Sequence, residues 1–221
     1  MSDYRVHELV EILDAPMNLI SYHLKLLRES GLVAMHQSEA DRRDIYYSLE
    51  HNVLRQLFSA AGQSLVPSLK AMHLPGSDLE SSPTVLFVCT RNSARSQMAE
   101  ALLREMSKGK VMAFSAGSNP GSIHPDTVSA MRKMQIDISD QQSKHWSVFL
   151  GQTFDYVISV CDTAREVCPV FPGSQTIHWS FPDPAAIADS NIRKAAFEQT
   201  AEALKSRIRH FLEALQQQTA A

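Results

Sequence analysis

The run Thr84-Val-Leu-Phe-Val-Cys89 leads directly into Thr-Arg-Asn-Ser-Ala-Arg95-Ser96, and this junction constrains the fold more than any other feature of the chain. Six almost wholly apolar residues, rich in β-branched types, predict a strand buried on both faces, the pattern of a parallel sheet. A helical pattern begins at about Ala94 and runs to about Ser107. Further strand-like runs at 111–115, 154–160 and, more weakly, 176–179 alternate with helical patterns at 125–134 and 145–150, and a long helix at 192–215 closes the chain. Such alternation predicts an α/β fold, a doubly wound four-stranded parallel sheet over residues 83–221 that binds ligands at the carboxyl ends of its strands.

Chemistry is expected at that first strand end. Five residues separate Cys89 from Arg95, enough for a loop of Thr90, Arg91, Asn92, Ser93 and Ala94 to wrap backbone N–H groups around a tetrahedral oxyanion. The helix start adds a favourable partial charge. Arg95 offers a planar, two-pronged donor to two anion oxygens. The same positive surroundings suit a thiolate. Ser96 can donate to the sulfur when it must leave, and Asn92 can brace the loop. The competing reading is a buried cysteine ahead of a helix cap.

Only three cysteines occur among 221 residues, and all of them (Cys89, Cys161, Cys168) fall in the second half. No signal-peptide pattern or membrane-length apolar run is present, so the chain is expected to be cytoplasmic, where cysteines serve catalysis, redox chemistry or metal binding rather than stapling. The stretch Cys161-Asp-Thr-Ala-Arg-Glu-Val-Cys168-Pro169 follows a predicted strand. Its six-residue gap is wider than the usual zinc spacing and no second pair exists, so no metal is expected. Two small buried residues remain a structural alternative.

The Cys89–Ser96 motif, together with Ala99-Glu100, Phe114-Ser-Ala-Gly-Ser118 and Asp183-Pro184, resembles the low-molecular-weight protein tyrosine phosphatases and the arsenate reductases that share their fold. The resemblance covers essentially all of 83–221. It implies Cys89 as nucleophile, Arg95 as oxyanion clamp and Asp183 as the acid that protonates the leaving oxygen. A phosphatase needs one cysteine. The strand–cysteine–helix setting of Cys161 and Cys168, with its Cys-Pro-x-Phe-Pro-Gly ending at Gly173, resembles the thioredoxin-linked arsenate reductases. That likeness implies arsenate as substrate, a three-thiol relay, electrons from thioredoxin and no cofactor. If 162–168 is helical, the two cysteines stand ~10 Å apart along its axis, whereas a disulfide needs Cα atoms within about 7 Å. Joining them would therefore require the helix to unwind. Some relatives bind potassium through an asparagine, a glutamate, a serine and an aspartate. Asn92, Glu100 and Ser115 match the first three, but Lys144 stands at the fourth position, where its ammonium could take the cation's place. The rival readings are a phosphatase, which Ala185 in place of the usual tyrosine after Asp-Pro disfavours, and a DNA-binding regulator with an idle phosphatase-like domain.

Residues 1–73 follow a different plan. Helical patterns at 6–13 (inner face Leu9, Val10, Leu13) and 18–30 (inner face Ile20, Leu24, Leu27) flank Asp14-Ala-Pro16, and Gly31 ends the second. Two alternating segments around a charged tip, 38–43, predict a β-hairpin, and a helix runs over about 50–72 with a break at Pro67. Residues 74–82 read as a linker. The order is that of a small winged helix-turn-helix domain. Ser21-Tyr-His-Leu-Lys-Leu-Leu-Arg-Glu-Ser-Gly-Leu-Val33 and Tyr46-Tyr47 resemble the arsenical-responsive repressors. That resemblance puts Asn18, Ser21, Tyr22 and Lys25 toward operator DNA and Arg42 and Arg43 on its phosphates. Two helices that usually precede this segment are lacking, as are the metalloid-sensing cysteines. Residues 1–80 carry seven Lys/Arg against eleven Asp/Glu, an acidic balance that opposes DNA binding. Three readings stand: a DNA-binding unit whose homodimer the 50–72 helix completes, a degenerate fragment that mediates self-association, or a start site that lies upstream.

Overall fold

The computed structural model describes residues 2–65 and 82–219, with side chains given through residue 58 and from 82 to 217. The expected break at Pro67 and nearly all of the 74–82 linker lie outside the described residues.

Four parallel strands, β4 (Thr84–Cys89), β5 (Met112–Gly117), β6 (Tyr156–Ser159) and β7 (Gln175–His178), form one sheet in the order β5-β4-β6-β7. Central β4 is inaccessible on both faces, as its apolar run predicts. Val85 and Phe87 join a core made with α4 (Arg95–Met106), α5 (Pro125–Lys133) and α7 (Ser190–Thr219); Leu86 and Val88 pack on Phe149, Phe154 and Phe171 on the other side. Burying each such side chain contributes about 1.5–3 kcal/mol. Phe197, Ala201, Leu204, Ile208, Phe211 and Leu215, spaced alternately four and three residues apart, form the inner stripe of α7. The segment expected to be helical at 145–150 is a 3-10 turn, Trp146–Phe149. His145 caps it by accepting from the Ser147 amide, and so short a segment sustains only the tighter i→i+3 pattern.

The N-terminal elements are β1 (Tyr4–Arg5), α1 (Val6–Leu13), α2 (Met17–Glu29), β2 (Val33–Gln37), β3 (Ile45–Leu49) and α3 (His51–Leu65). The hairpin falls where alternation places it, and Gly31, at φ 73°, closes α2 in the left-handed region. β1, unanticipated because it is only two residues long, pairs with β3. The expected inner faces are only partly inner. Ile20 and Leu24 are buried, but α1 buries no residue, Leu13 is 59% exposed, and Leu27 is exposed as well. Ile12, Met17, Leu19 and Leu26 also face outward, because among the described residues no further element covers this side of α1 and α2.

The N-terminal elements are seated on the sheet domain. Asp3 accepts from the Ser180 amide (2.7 Å) and from Arg207 (2.7 Å); Glu8 pairs with Arg165 (2.6 Å); Ser206 donates to Asn52 (3.1 Å). No described helix is long and apolar enough to cross a membrane.

Candidate active site

The Cys89–Ser96 loop lies between β4 and α4, at the carboxyl end of the sheet. Amides behind the loop hold its carbonyls: Ser118 N donates to Cys89 O (3.3 Å), Asn119 N to Thr90 O (2.8 Å), and Gly121 N to Arg91 O (3.0 Å). Gln97 Nε2 donates to Asn92 O (3.2 Å), and His124 N to Ser93 O (2.9 Å). Five successive carbonyls are thus tied to donors outside the cradle, the polarity that leaves loop amides for an anion. Asn92 makes the bend at φ 46°, and its own amide donates to the Cys89 sulfur at 3.1 Å. Gly117 sits directly behind; a Cβ there would stand 2.6 Å from Thr90 O and 2.9 Å from Asn92 N. Ser96 Oγ lies 2.9 Å from Cys89 Sγ, placed to donate to a departing thiolate.

Arg95 is 5% exposed. Its Nη1 donates to Phe181 O (2.7 Å) and to Glu39 Oε1 (2.7 Å), and Nη2 stands 3.5 Å from Asp183 Oδ1. Burial pulls its pKa down, but Cys161, Glu39, Asp183 and Cys89 outweigh that, and the net shift is upward. Arg95 therefore stays charged, ready for an anion. The cavity in front, about 510 Å3, is lined by Cys89, Arg91, Arg95, Thr163, Asp183 and Ala185, and also by Gln37 and Glu39 from the N-terminal hairpin. Neither hairpin residue is foreseeable: each lies fifty or more positions from the loop, and only the docking of two separate elements brings it there.

Asn92, Glu100, Ser115 and Lys144 meet under the loop. Asn92 Nδ2 donates to Ser115 Oγ (2.9 Å), Ser115 Oγ to Glu100 Oε2 (2.5 Å), and Lys144 N to Asn92 Oδ1 (2.8 Å). Lys144 Nζ stands 3.9 Å from Glu100 Oε2, and Arg104 pairs with the other carboxylate oxygen at 2.6 Å. Two cations thus already balance this carboxylate. Among the described residues no group of three or more His, Cys, Asp or Glu is placed to hold a metal ion.

Cys161 and Cys168 bracket α6 (Asp162–Val167) as its caps; all three thiols are free. The Cys161 sulfur accepts from Ala164 N (3.4 Å) and lies 3.4 Å from Thr90 Oγ1, so the second thiol borders the loop. Burial pushes Cys161 up to about 11, against the pull of Arg95, and burial likewise pushes Cys168 up to about 11. Asp162, next to Cys161, is held by His178 (3.1 Å), by Ser180, by His36 (3.6 Å) and by the Glu39 amide (3.2 Å). Although burial raises its carboxyl, these partners bring it well below the ordinary range. This hub joins both halves of the molecule and has no linear sequence signature.

The sequence family described as low molecular weight phosphotyrosine protein phosphatase matches residues 84–221. The chain belongs to that family. Among its relatives, an arsenate reductase of Bacillus cereus is 34% identical over 136 residues (61% of this chain, 98% of the relative), and one of Halalkalibacterium halodurans is 36% identical over 131 residues (58% and 94%). A solved arsenate reductase in a phosphate-binding state superimposes with TM-score 0.53 at 29% identity, covering 60% of this chain and 98% of that one. A thioredoxin-dependent arsenate reductase of Corynebacterium glutamicum gives 0.50 at 29%, covering 62% and 63%. Residues 2–34 match the bacterial regulatory protein family arsR, so this member of the phosphatase family carries a repressor-type segment in front, as the resemblances imply.

The segment's expected DNA-facing residues are divided. Asn18, Ser21, Tyr22 and Lys25 all lie exposed on α2. The wing is turned toward the active site: Arg42 and Arg43 remain exposed, but Arg43 is paired to Asp41 at 2.7 Å, and Glu39 enters the cavity.

Proposed function

We propose that the protein reduces arsenate to arsenite through a relay of Cys89, Cys161 and Cys168, with electrons supplied by thioredoxin and no bound cofactor. The observation that carries this reading is the setting of Cys161, bordering the Cys89 loop through Thr90 and separated from Cys168 by one short helix. Cys89 thiolate displaces one oxygen of arsenate, and Asp183 protonates it so that it leaves as water. Cys161 then attacks the Cys89 sulfur. The arsenic–sulfur bonding pair passes to arsenic, which falls from the +5 to the +3 state and leaves as arsenite. Cys168 attacks Cys161 in turn, freeing Cys89 thiolate, and the dithiol of thioredoxin reduces the Cys161–Cys168 disulfide. α6 must unwind for that last pair to form, because its length holds the sulfurs apart.

In this reading residues 83–221 are the reductase, 74–82 a linker and 1–73 a winged-helix unit that presents Asn18, Ser21, Tyr22 and Lys25 to operator DNA. The uncovered apolar side chains of α1 and α2 support self-association of the same unit.

The test follows NADPH consumption by thioredoxin and its reductase on adding arsenate, in wild type, Cys161→Ser and Cys168→Ser. Turnover in wild type alone, with phosphate-ester hydrolysis surviving in both variants, is expected. Brisk ester hydrolysis without any arsenate turnover would make the protein a phosphatase, and neither activity would leave a DNA-binding regulator with an idle domain.

A further inference from the structure

Arg95 is already partnered by an anion, and that anion comes from the N-terminal hairpin. Ser38, at the wing tip, is buried, and its hydroxyl accepts from the amides of Ala40 (3.1 Å) and Asp41 (3.4 Å), which shapes the turn. The next residue, Glu39, is fixed at its backbone by Asp162 Oδ2 (3.2 Å) and reaches Arg95 Nη1 at 2.7 Å with a side chain only 25% exposed. Asp183, at 3.5 Å from Nη2, is the looser partner. We propose that Glu39 is a tethered competitor for the oxyanion loop, holding the Arg95 guanidinium at rest, and that an entering tetrahedral oxyanion displaces it together with the wing tip.

The argument is one of donors and charge. A guanidinium has a fixed fork of N–H groups, and a carboxylate and an oxyanion compete for the same edge. Nη1 also serves Phe181 O, so it has little to spare for a third acceptor. A multiply charged oxyanion in the loop would stand beside both Glu39 and Asp183, and the repulsion falls on the group that can move. Asp183 is anchored as the cap of the Pro184–Ala186 turn, whereas Glu39 sits on a hairpin tip. Burial raises the Glu39 carboxyl above its ordinary range despite the pull of Arg95, so the seat costs the carboxylate more than the pairing returns. By linkage, whatever lifts the wing tightens oxyanion binding, and a filled loop loosens the wing. Occupancy of the reductase site is thereby reported to the N-terminal unit. The inference rests on the loop as an oxyanion site and does not require arsenate to be the substrate.

Inorganic phosphate is the probe, titrated calorimetrically into the full chain as wild type and as Glu39→Gln. Gln keeps the shape and the backbone bond to Asp162 while removing the charge. Binding about tenfold tighter in the variant is expected. Saturating phosphate should also speed amide hydrogen exchange across residues 36–44 of wild type. Equal affinities with unchanged exchange would overturn the proposal and leave the oxyanion loop intact. Phosphate binding to neither protein would overturn the loop reading and this proposal with it.

Discussion

The Cys161 sulfur lies 3.4 Å from Thr90 Oγ1, one residue along the loop from Cys89, while the same sulfur caps the helix that ends at Cys168. One atom thus borders the Cys89–Ser96 loop and helps hold together the short helix that the proposed relay would have to unwind. In the proposed relay, unwinding would take the Ala164 N–H away from the Cys161 sulfur, which is the electrophile once it is joined to Cys89 in a disulfide.

Cys161 and Cys168 should be slow nucleophiles at rest. With Cys161 and Cys168 both pushed up to about 11, nearly all of each is protonated at pH 7. Alkylation by iodoacetamide, read by peptide mass spectrometry, should rise at both as pH climbs from 7 toward 11. Rates already level at pH 7 would contradict the burial argument.

Potassium should matter little. Lys144 and Arg104 already balance Glu100, so potassium chloride in place of choline chloride should change kcat/KM by less than about twofold. Lys144→Gln should acquire a potassium response. A several-fold gain in wild type would sink the idea.

Gly117→Ala should damage loop and stability together. Its new Cβ would meet backbone on two sides, Thr90 O and Asn92 N, neither of which can rotate away. A loss of about 1–3 kcal/mol in urea unfolding is expected, with weaker phosphate binding. Unchanged values for both would refute the contact.

Mild acid should loosen the seat of the N-terminal elements. His51 on α3 lies against His210 on α7, ring centroids 4.7 Å apart and the rings tilted by 33°. Burial, then Arg207 and His210, lower His51 to about 4. Its folded pKa lies below the unfolded value of about 6.5, so the unfolded chain binds the extra proton first. Stability is therefore full above about 6.5 and is lost as pH falls toward 4. Urea midpoints between pH 7.5 and 4.5 should show this slope, and His51→Gln should reduce it, leaving the part due to His178, which burial also lowers.

Much of this molecule was legible in one dimension. The loop Cys89–Ser96 is contiguous, and so is the Cys161–Cys168 segment, so spacing alone exposes their chemistry. The helix expected at 145–150 was misjudged because so short a pattern does not separate an α-helix from a 3-10 turn. The inner faces of α1 and α2 were overstated because periodicity marks a stripe without saying whether anything covers it. Glu39 falls within the charged tip 38–43, and nothing local distinguishes a carboxylate aimed at water from one aimed at a guanidinium.

Local sequence by itself determined the strand–loop–helix cradle, the three thiols and the repressor-like order of the N-terminal elements, because each follows from residues within one or two turns of chain. Tertiary structure alone decided that the wing faces the reductase site and that Arg95 rests on Glu39 across 56 residues. It also decided that Asp162 gathers His36, His178 and Ser180 beside Cys161. The contacts of Glu39 with Arg95 and of His36 with Asp162 exist only after two separately patterned units dock, and the complementarity of their surfaces is written in no single stretch of either.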